Sequence, residues 1–170
     1  LSLIPGSAGA APVQNIGAYG QQISDCLISL QAYNIETKKW NNFLRQDCNF
    51  SYRTSRFNSE DKSSYIISAI NLRLSRKKEK SPFYFDIENY FKVNGVNTNS
   101  VTPAEIRKAV VSIRQAKLPD PEVIANCGSF FKNPETDRAV LEKIRLSHPQ
   151  VVSYNLPDGR VKIPAGWLIE

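Results

Sequence analysis

The stretch that most constrains this chain lies near its start: Ile4-Pro-Gly-Ser-Ala-Gly-Ala-Ala-Pro-Val-Gln-Asn-Ile-Gly-Ala-Tyr-Gly20. It holds four of the eight glycines, Gly6, Gly9, Gly17 and Gly20, set among alanines and a serine and without one charged residue. Glycine reaches positive φ with no Cβ clash, and small neighbours leave main-chain N–H groups accessible. Such a backbone suits a tight surface loop, or a wall against which pyrophosphate or a flat ring can lie. Composition alone does not choose between them.

The bulk numbers narrow the class. Of 170 residues, 41% are hydrophobic and 22% charged, the balance of a folded domain and not of a disordered one. No run of about 18 apolar residues reads as a membrane span, and the opening lacks the basic-then-apolar pattern of a secretory signal. The chain has no methionine and begins at Leu1, so it is read as a piece of a longer polypeptide. A formal net charge of +6 favours anionic partners. The compact excess lies in Arg73, Arg76, Lys77, Lys78 and Lys80, a run that carries Glu79 and no aromatic residue. A solvated strand end explains it better than a nucleic-acid stripe. Cys26, Cys48 and Cys127 are odd in number, widely spaced and without CxxC spacing. That argues against a disulfide framework or zinc site and for a reducing cytoplasm. His148, the only histidine, precedes Pro149 at an expected helix end, which argues against His-based triads and His-rich metal sites.

Periodicity supplies the elements. Residues 24–35 read as a strand with Cys26, Ile28, Leu30 and Ala32 on one face, followed by a turn and a returning strand at 40–44. Residues 47–58 are polar and irregular. Residues 64–74 read as the clearest strand, with Ile66, Ile70, Leu72 and Leu74 pointing one way, so an antiparallel sheet with one buried face is expected. The aromatic connection 81–100 allows a short helix at 85–91. Thr102 as N-cap, Pro103 at the first position and Glu105 completing a capping box then open a strong helix. Its buried stripe is Ile106, Ala109, Val110 and Ile113. Lys117-Leu-Pro-Asp-Pro121 breaks the chain twice and sets the expected domain boundary between 118 and 119. Beyond it, Asn133 as N-cap and Pro134 are expected to open a helix with Val140, Leu141 and Ile144 inward. Pro157-Asp158-Gly159 reads as a turn between short strands, and residues 166–170 as the start of a further element. The sum is α+β.

Taken singly, the chemical candidates are weak. Arg53 reads as a surface arginine, Lys117 as a phosphate contact or a solvated cation. Ser129 has no histidine to make it a nucleophile, although it can still donate a proton. Taken in order, five motifs resemble one family: the stretch 4–20, Phe50-Ser-Tyr-Arg-Thr-Ser55, Lys117-Leu-Pro-Asp-Pro121, Gly128-Ser-Phe-Phe-Lys-Asn-Pro134 and Ala165-Gly-Trp-Leu-Ile169. The family is the UDP-N-acetylenolpyruvoylglucosamine reductases, flavoenzymes of bacterial peptidoglycan precursor synthesis, and the resemblance runs the whole chain at family spacing.

The resemblance implies the FAD-binding fold of the vanillyl-alcohol oxidase/PCMH type, an antiparallel sheet with flanking helices. Residues 1–118 would be the second part of the FAD-binding region, and 119–170 the beginning of an α+β substrate-binding domain. It implies that Gly6, Ser7, Gly9, Ala10, Val13 and Gly17 contact FAD and that Tyr19 approaches the substrate. Arg53 would polarise the enolpyruvyl carboxylate and Ser129 act as general acid, while Lys117 and Asn133 contact substrate and NADPH phosphates. Tyr84 matches the mobile tyrosine of the subtype carrying this inserted segment, although Tyr84-Phe85-Asp86 stands where the family often has Tyr-Gly-Asp. The implied reaction is NADPH-driven, FAD-dependent reduction of UDP-N-acetylglucosamine enolpyruvate to UDP-N-acetylmuramate by a monomeric cytoplasmic enzyme. Two family features do not occur in this chain, an N-terminal flavin loop rich in Gly and Ser and a late catalytic glutamate; Glu170 belongs to another motif. The chain is therefore expected to be the middle of the enzyme and inactive alone. Two alternatives stand beside this: another FAD-linked oxidoreductase of the same superfamily, and a basic nucleic-acid-binding module that rests only on charge.

Overall fold

The glycine-rich stretch makes one 3₁₀ turn at Ala8–Ala10 and then a two-stranded antiparallel ribbon, β1 (Gly17–Ala18) with β2 (Gln21–Gln22). Tyr19 and Gly20 join them with φ of 53° and 79°, the pair of positive angles a two-residue hairpin requires. The computed structural model describes residues 1–170 except Lys78, Cys127 and Gly128. The Lys78 share of the basic run, the expected thiol at Cys127 and the motif position Gly128 lie outside the described residues. The chain divides into two compact units, Leu1–Asn126 and Cys127–Glu170.

In the first unit, β3 (Leu27–Asn34) is the central strand of an antiparallel sheet between β4 (Lys39–Leu44) and β5 (Tyr65–Leu72). The β3–β4 hairpin is as the sequence spells it, with Asn34 opposite Lys39. The strand faces are so only in part: Leu30, Ala32 and Ile70 face the core as expected, and other positions do not. One register shift falls between Leu27 and Ser29 and another between Gln31 and Ala32, so Ile28 on β3 and Ser68 on β5 are extra residues in the ladder. A bulge of one residue inverts which side chains point inward. Leu27 is therefore buried and Ile28 exposed, and Tyr65, Ile67 and Ile70 face the core while Ile66 is 59% exposed. Cys26 lies before the strand, closing a 3₁₀ turn, and Leu74 lies beyond β5 in solvent.

The buried face carries Leu27, Leu30, Ala32, Phe43, Cys48 and Phe57. Phe43, Phe57 and Tyr65 pack edge-to-face with centroids 5.2–6.0 Å apart, the arrangement aromatic quadrupoles favour. A second cluster forms between α1 (Phe85–Val93) and α2 (Pro103–Lys117), built on Ile87, Phe91, Val101, Ala109, Val110 and Ile113. The expected capping box is present: the Glu105 N–H donates to Thr102 Oγ1 at 3.3 Å and the Thr102 N–H to Glu105 Oε2 at 2.8 Å. Tyr19 packs against this cluster, so the glycine-rich stretch touches both cores of the unit, Val13 at one end and Tyr19 at the other.

The second unit runs β6 (Glu135–Thr136), α3 (Arg138–Ser147), β7 (Tyr154–Asn155), β8 (Val161–Lys162) and α4 (Ala165–Ile169), with β8 between β6 and β7. The helix expected at Pro134 begins at Arg138, with Asp137 as N-cap. Pro134 instead extends the sheet, its carbonyl accepting from the Ile163 N–H at 3.0 Å. Asn133 caps a different helix: its Oδ1 accepts from the Ala165 N–H at 2.9 Å, at the start of α4. Leu141 is buried and Ile144 packs beside it, but Val140 is turned out at 42% exposure. Leu141, Val151, Val161 and Ile163 form the core, with Trp167 against them. None of the described helices is long and apolar enough to cross a membrane.

Candidate functional site

Arg53 sits on a tight turn in which Ser51 and Thr54 exchange backbone hydrogen bonds of 3.0 and 3.2 Å. Its φ is 53°, an angle a residue with a Cβ seldom adopts and one that gathers at functional sites. The turn aims the side chain back at the glycine-rich stretch. Nη2 donates to the Gly17 carbonyl and, at 3.5 Å, Nη1 lies at the limit of a hydrogen bond to the Asn15 carbonyl. The guanidinium carbon is 5.0 Å from the Tyr52 ring centroid. Among the described residues, Arg53 is given carbonyls and no carboxylate. Its charge is thus held in place without being neutralised, and N–H groups remain to meet an anion.

Gly17 makes this approach available. A Cβ there would lie 2.8 Å from the Gln21 carbonyl oxygen and 2.9 Å from Arg53 Nη1. Gly9 has a comparable reason, because a Cβ would run into the Ile67 carbonyl on β5. Gly6 differs from both: φ is 120° and its Cβ side is open. With Ser7 and Ala10 it lines a cavity of about 210 Å³ that Ile4 and Gln14 also border. Val13 points its side chain into the sheet core, and its carbonyl accepts from Ser55 Oγ at 2.7 Å. Ser55 Oγ in turn accepts from the Phe57 N–H at 3.1 Å. The Tyr-Arg-Thr-Ser motif is therefore tied to the glycine-rich stretch at two points, Ser55 to Val13 and Arg53 to Gly17.

Tyr19 and Tyr84 meet edge-to-face with centroids 5.6 Å apart. Burial raises the Tyr19 pKa above its ordinary value, while Arg114 and Lys117 pull it down. Lys117 Nζ donates to Asp86 Oδ2 at 2.9 Å, and more than half of the lysine side chain is solvent-exposed. One turn earlier on α2, Arg114 Nη2 donates to the Leu3 carbonyl at 3.2 Å, while its buried Nε has no partner among the described residues. Tyr19, Tyr84, Lys117 and Arg114 thus form a basic, aromatic patch around the tip of the β1–β2 ribbon. In the second unit Ser129 is exposed beside Phe130 and Phe131, whose rings lie 5.0 Å apart, and Asn133 is held through Ala165.

Of the residues singled out in the sequence, the structure joins Gly17 with Arg53 and Tyr19 with Tyr84. Arg53 and Ser129 belong to different units. Asn15, Ser55 and Arg114 escaped the sequence reading. Asn15 and Ser55 stand inside the quoted motifs.

No protein-family model matches the chain. Curated proteins called UDP-N-acetylenolpyruvoylglucosamine reductase do match it across its whole length. The Burkholderia orbicola (strain MC0-3) protein is 44% identical over 170 residues, 49% of its own length. The Flavobacterium johnsoniae protein is 43% identical over 171 residues, 50% of its length, and the Psychrobacter arcticus protein 40% over 173 residues, 46% of its length. The chain spans about half the length of the curated relatives it matches. The crystal structure of UDP-N-acetylenolpyruvylglucosamine reductase from Thermus caldophilus matches with a TM-score of 0.52 at 16% identity, covering 95% of this chain and 51% of that one, so the fold is shared. Along its whole length, the chain is homologous to about half of a UDP-N-acetylenolpyruvoylglucosamine reductase.

Proposed function

We propose that this chain is a segment of a cytoplasmic, monomeric reductase that converts UDP-N-acetylglucosamine enolpyruvate to UDP-N-acetylmuramate with FAD and NADPH. The observation that carries the proposal is 44% identity through all 170 residues to a protein of that name. The Arg53 clamp gives it a local chemical basis. Residues 1–118 act as part of the FAD-binding region and residues from 119 onward open the substrate-binding domain.

The glycine-rich stretch fits a flavin on its geometry. The open side of Gly6 and the small-residue cavity beside it form one wall, thin enough for a ring or a pyrophosphate to approach the main chain. Gly6, Ser7, Gly9, Ala10, Val13 and Gly17 would hold the cofactor, Val13 through its main chain because its side chain belongs to the core. When bound and reduced by NADPH, FAD supplies the hydride. Arg53 faces the substrate carboxylate, where negative charge builds in the transition state; a fixed cation stabilises that charge without reorganising. Ser129 delivers a proton to the carbon next to the carboxylate, the role of a general acid. Lys117 takes a substrate phosphate by exchanging its exposed pairing with Asp86, a kind of pair that contributes about 0–1 kcal/mol. Asn133, whose oxygen is taken by the Ala165 N–H, turns its amide N–H groups to a phosphate. Tyr19 and Tyr84 close on the substrate together.

The test is to graft this chain in place of the matching half of the Burkholderia reductase. The expected result is NADPH oxidation that depends on the enolpyruvyl substrate and that Arg53→Ala lowers about 10²–10³-fold in kcat. A graft that retains flavin but oxidises no NADPH in response to the substrate would overturn the proposal.

A further inference from the structure

We infer that Asn15 is the positioning residue for the Arg53 guanidinium. The inference rests on the proposed reaction for what Arg53 does, and on geometry alone for how Arg53 is held. Asn15 is completely buried, and its side-chain donors and acceptor are all engaged. Nδ2 donates to Gln22 Oε1 at 3.0 Å and to the Ser51 carbonyl at 2.9 Å, and Oδ1 accepts from the Ser24 N–H at 3.2 Å. Those partners stand on β2, on the turn that presents Arg53, and on the entry to β3. One amide therefore ties together the backbone that carries Arg53 and the backbone that receives it.

The arrangement closes on itself. Ser51, held by the Asn15 side chain, is the base of the Arg53 turn, and the carbonyls of Asn15 and Gly17 meet the guanidinium at the tip. The φ of 45° at Asn15 directs its carbonyl, and asparagine tolerates that region better than other residues with a Cβ. Ile16 is pinned as well: its N–H donates to the Ala11 carbonyl at 3.0 Å and its carbonyl accepts from Ile23 at 2.8 Å. A cation aimed by neutral carbonyls is fixed in direction and keeps its charge for an anion. Arginine is otherwise a long, rotatable side chain, so what sets its direction is the buried amide behind the carbonyls.

The experiment has two arms. In the ¹⁵N-labelled 170-residue chain, the Nη–H signals of Arg53, assigned by their loss in Arg53→Lys, are expected to be resolved by slow guanidinium rotation. Asn15→Ala, and the near-isosteric Asn15→Asp that turns an oxygen toward the Ser51 carbonyl, should both average them, while the amide signals of the Thr102–Glu105 cap stay in place. Arg53 signals unchanged in both variants would overturn the inference. In the Burkholderia graft, Asn15→Ala should slow flavin reoxidation by the enolpyruvyl substrate about a hundredfold, the scale of a small misplacement at a reacting centre, and slow flavin reduction by NADPH far less. Combined with Arg53→Lys it should add almost nothing, since both changes remove one interaction. Fully additive effects would make Asn15 merely structural and overturn the inference. The guanidinium signals decide the positioning role even in an inert graft, so failure of the clamp and failure of the reaction are told apart.

Discussion

Cys48 lies fully buried in the sheet core, and its thiol donates to the Leu44 carbonyl at 3.4 Å. Burial pushes its pKa up from 9.0 to about 11, with Asp47 adding to the rise and Arg56 opposing it. Below pH 9 the thiol is protonated in both folded and unfolded chains, and its contribution to stability is complete. Between about 9 and 11 the unfolded chain releases the proton that the folded chain keeps, so stability falls through that window. Thermal scans should show the melting temperature dropping more steeply there in the native chain than in Cys48→Ala; equal slopes would remove the thiol as the cause. The residues of the candidate site divide in the same way between local and remote causes. Arg53 and Gly17 are named by the resemblance their motifs carry, whereas the contacts of Asn15 and Ser55 with Ser51 and Val13, 36 and 42 residues away, are made only by the fold.

Among the elements, α2 was readable to the residue because its signals are local: Thr102, Pro103 and Glu105 satisfy one another within a single turn. Its cap also titrates. Hydrogen bonds from the Thr102 side chain and backbone hold the Glu105 carboxyl below 4.5. The contribution of the carboxylate is therefore present above that pH and is lost as pH falls through the lower folded value. Thr102→Ala should cost about 1 kcal/mol near neutrality and remove the side-chain share of this acid-dependent part while the backbone N–H stays, so that the gap between circular-dichroism melts of native and variant chains narrows in acid; a gap constant with pH would contradict the cap as described. The strands were less legible for a physical reason. Their period of two holds only while the ladder is regular, and the extra residues Ile28 and Ser68 are features of β3 pairing with β5, invisible in either strand alone. Likewise Asn133-Pro134 carries a sound local signal for a helix start, yet the asparagine oxygen is claimed by Ala165, 32 residues on.

At the scale of the whole molecule, the residues proposed for the reaction fall in both units: Arg53, Tyr19, Tyr84 and Lys117 in Leu1–Asn126, Ser129 and Asn133 in Cys127–Glu170. The second unit is the weaker by physical expectation, because a short unit buries a smaller fraction of its surface and its core cluster among the described residues is Leu141, Val151, Val161 and Ile163. Leu141 is 1% exposed at its centre, and Leu141→Ala removes about 2–5 kcal/mol, comparable with everything a core of that size supplies. The chain has two tryptophans, one in each unit: Trp40 on β4 and Trp167 against Leu141. In a Trp40→Phe background, Leu141→Ala should bring the Trp167 fluorescence transition to much lower denaturant or abolish it. In a Trp167→Phe background, the Trp40 transition should stay close to its native midpoint, and the Arg53 guanidinium signals should persist because every group that holds them lies between Asn15 and Thr54. If Trp40 instead follows Leu141, the two units unfold as one cooperative body, and substitutions in the second unit would then weaken Arg53 as well as Ser129.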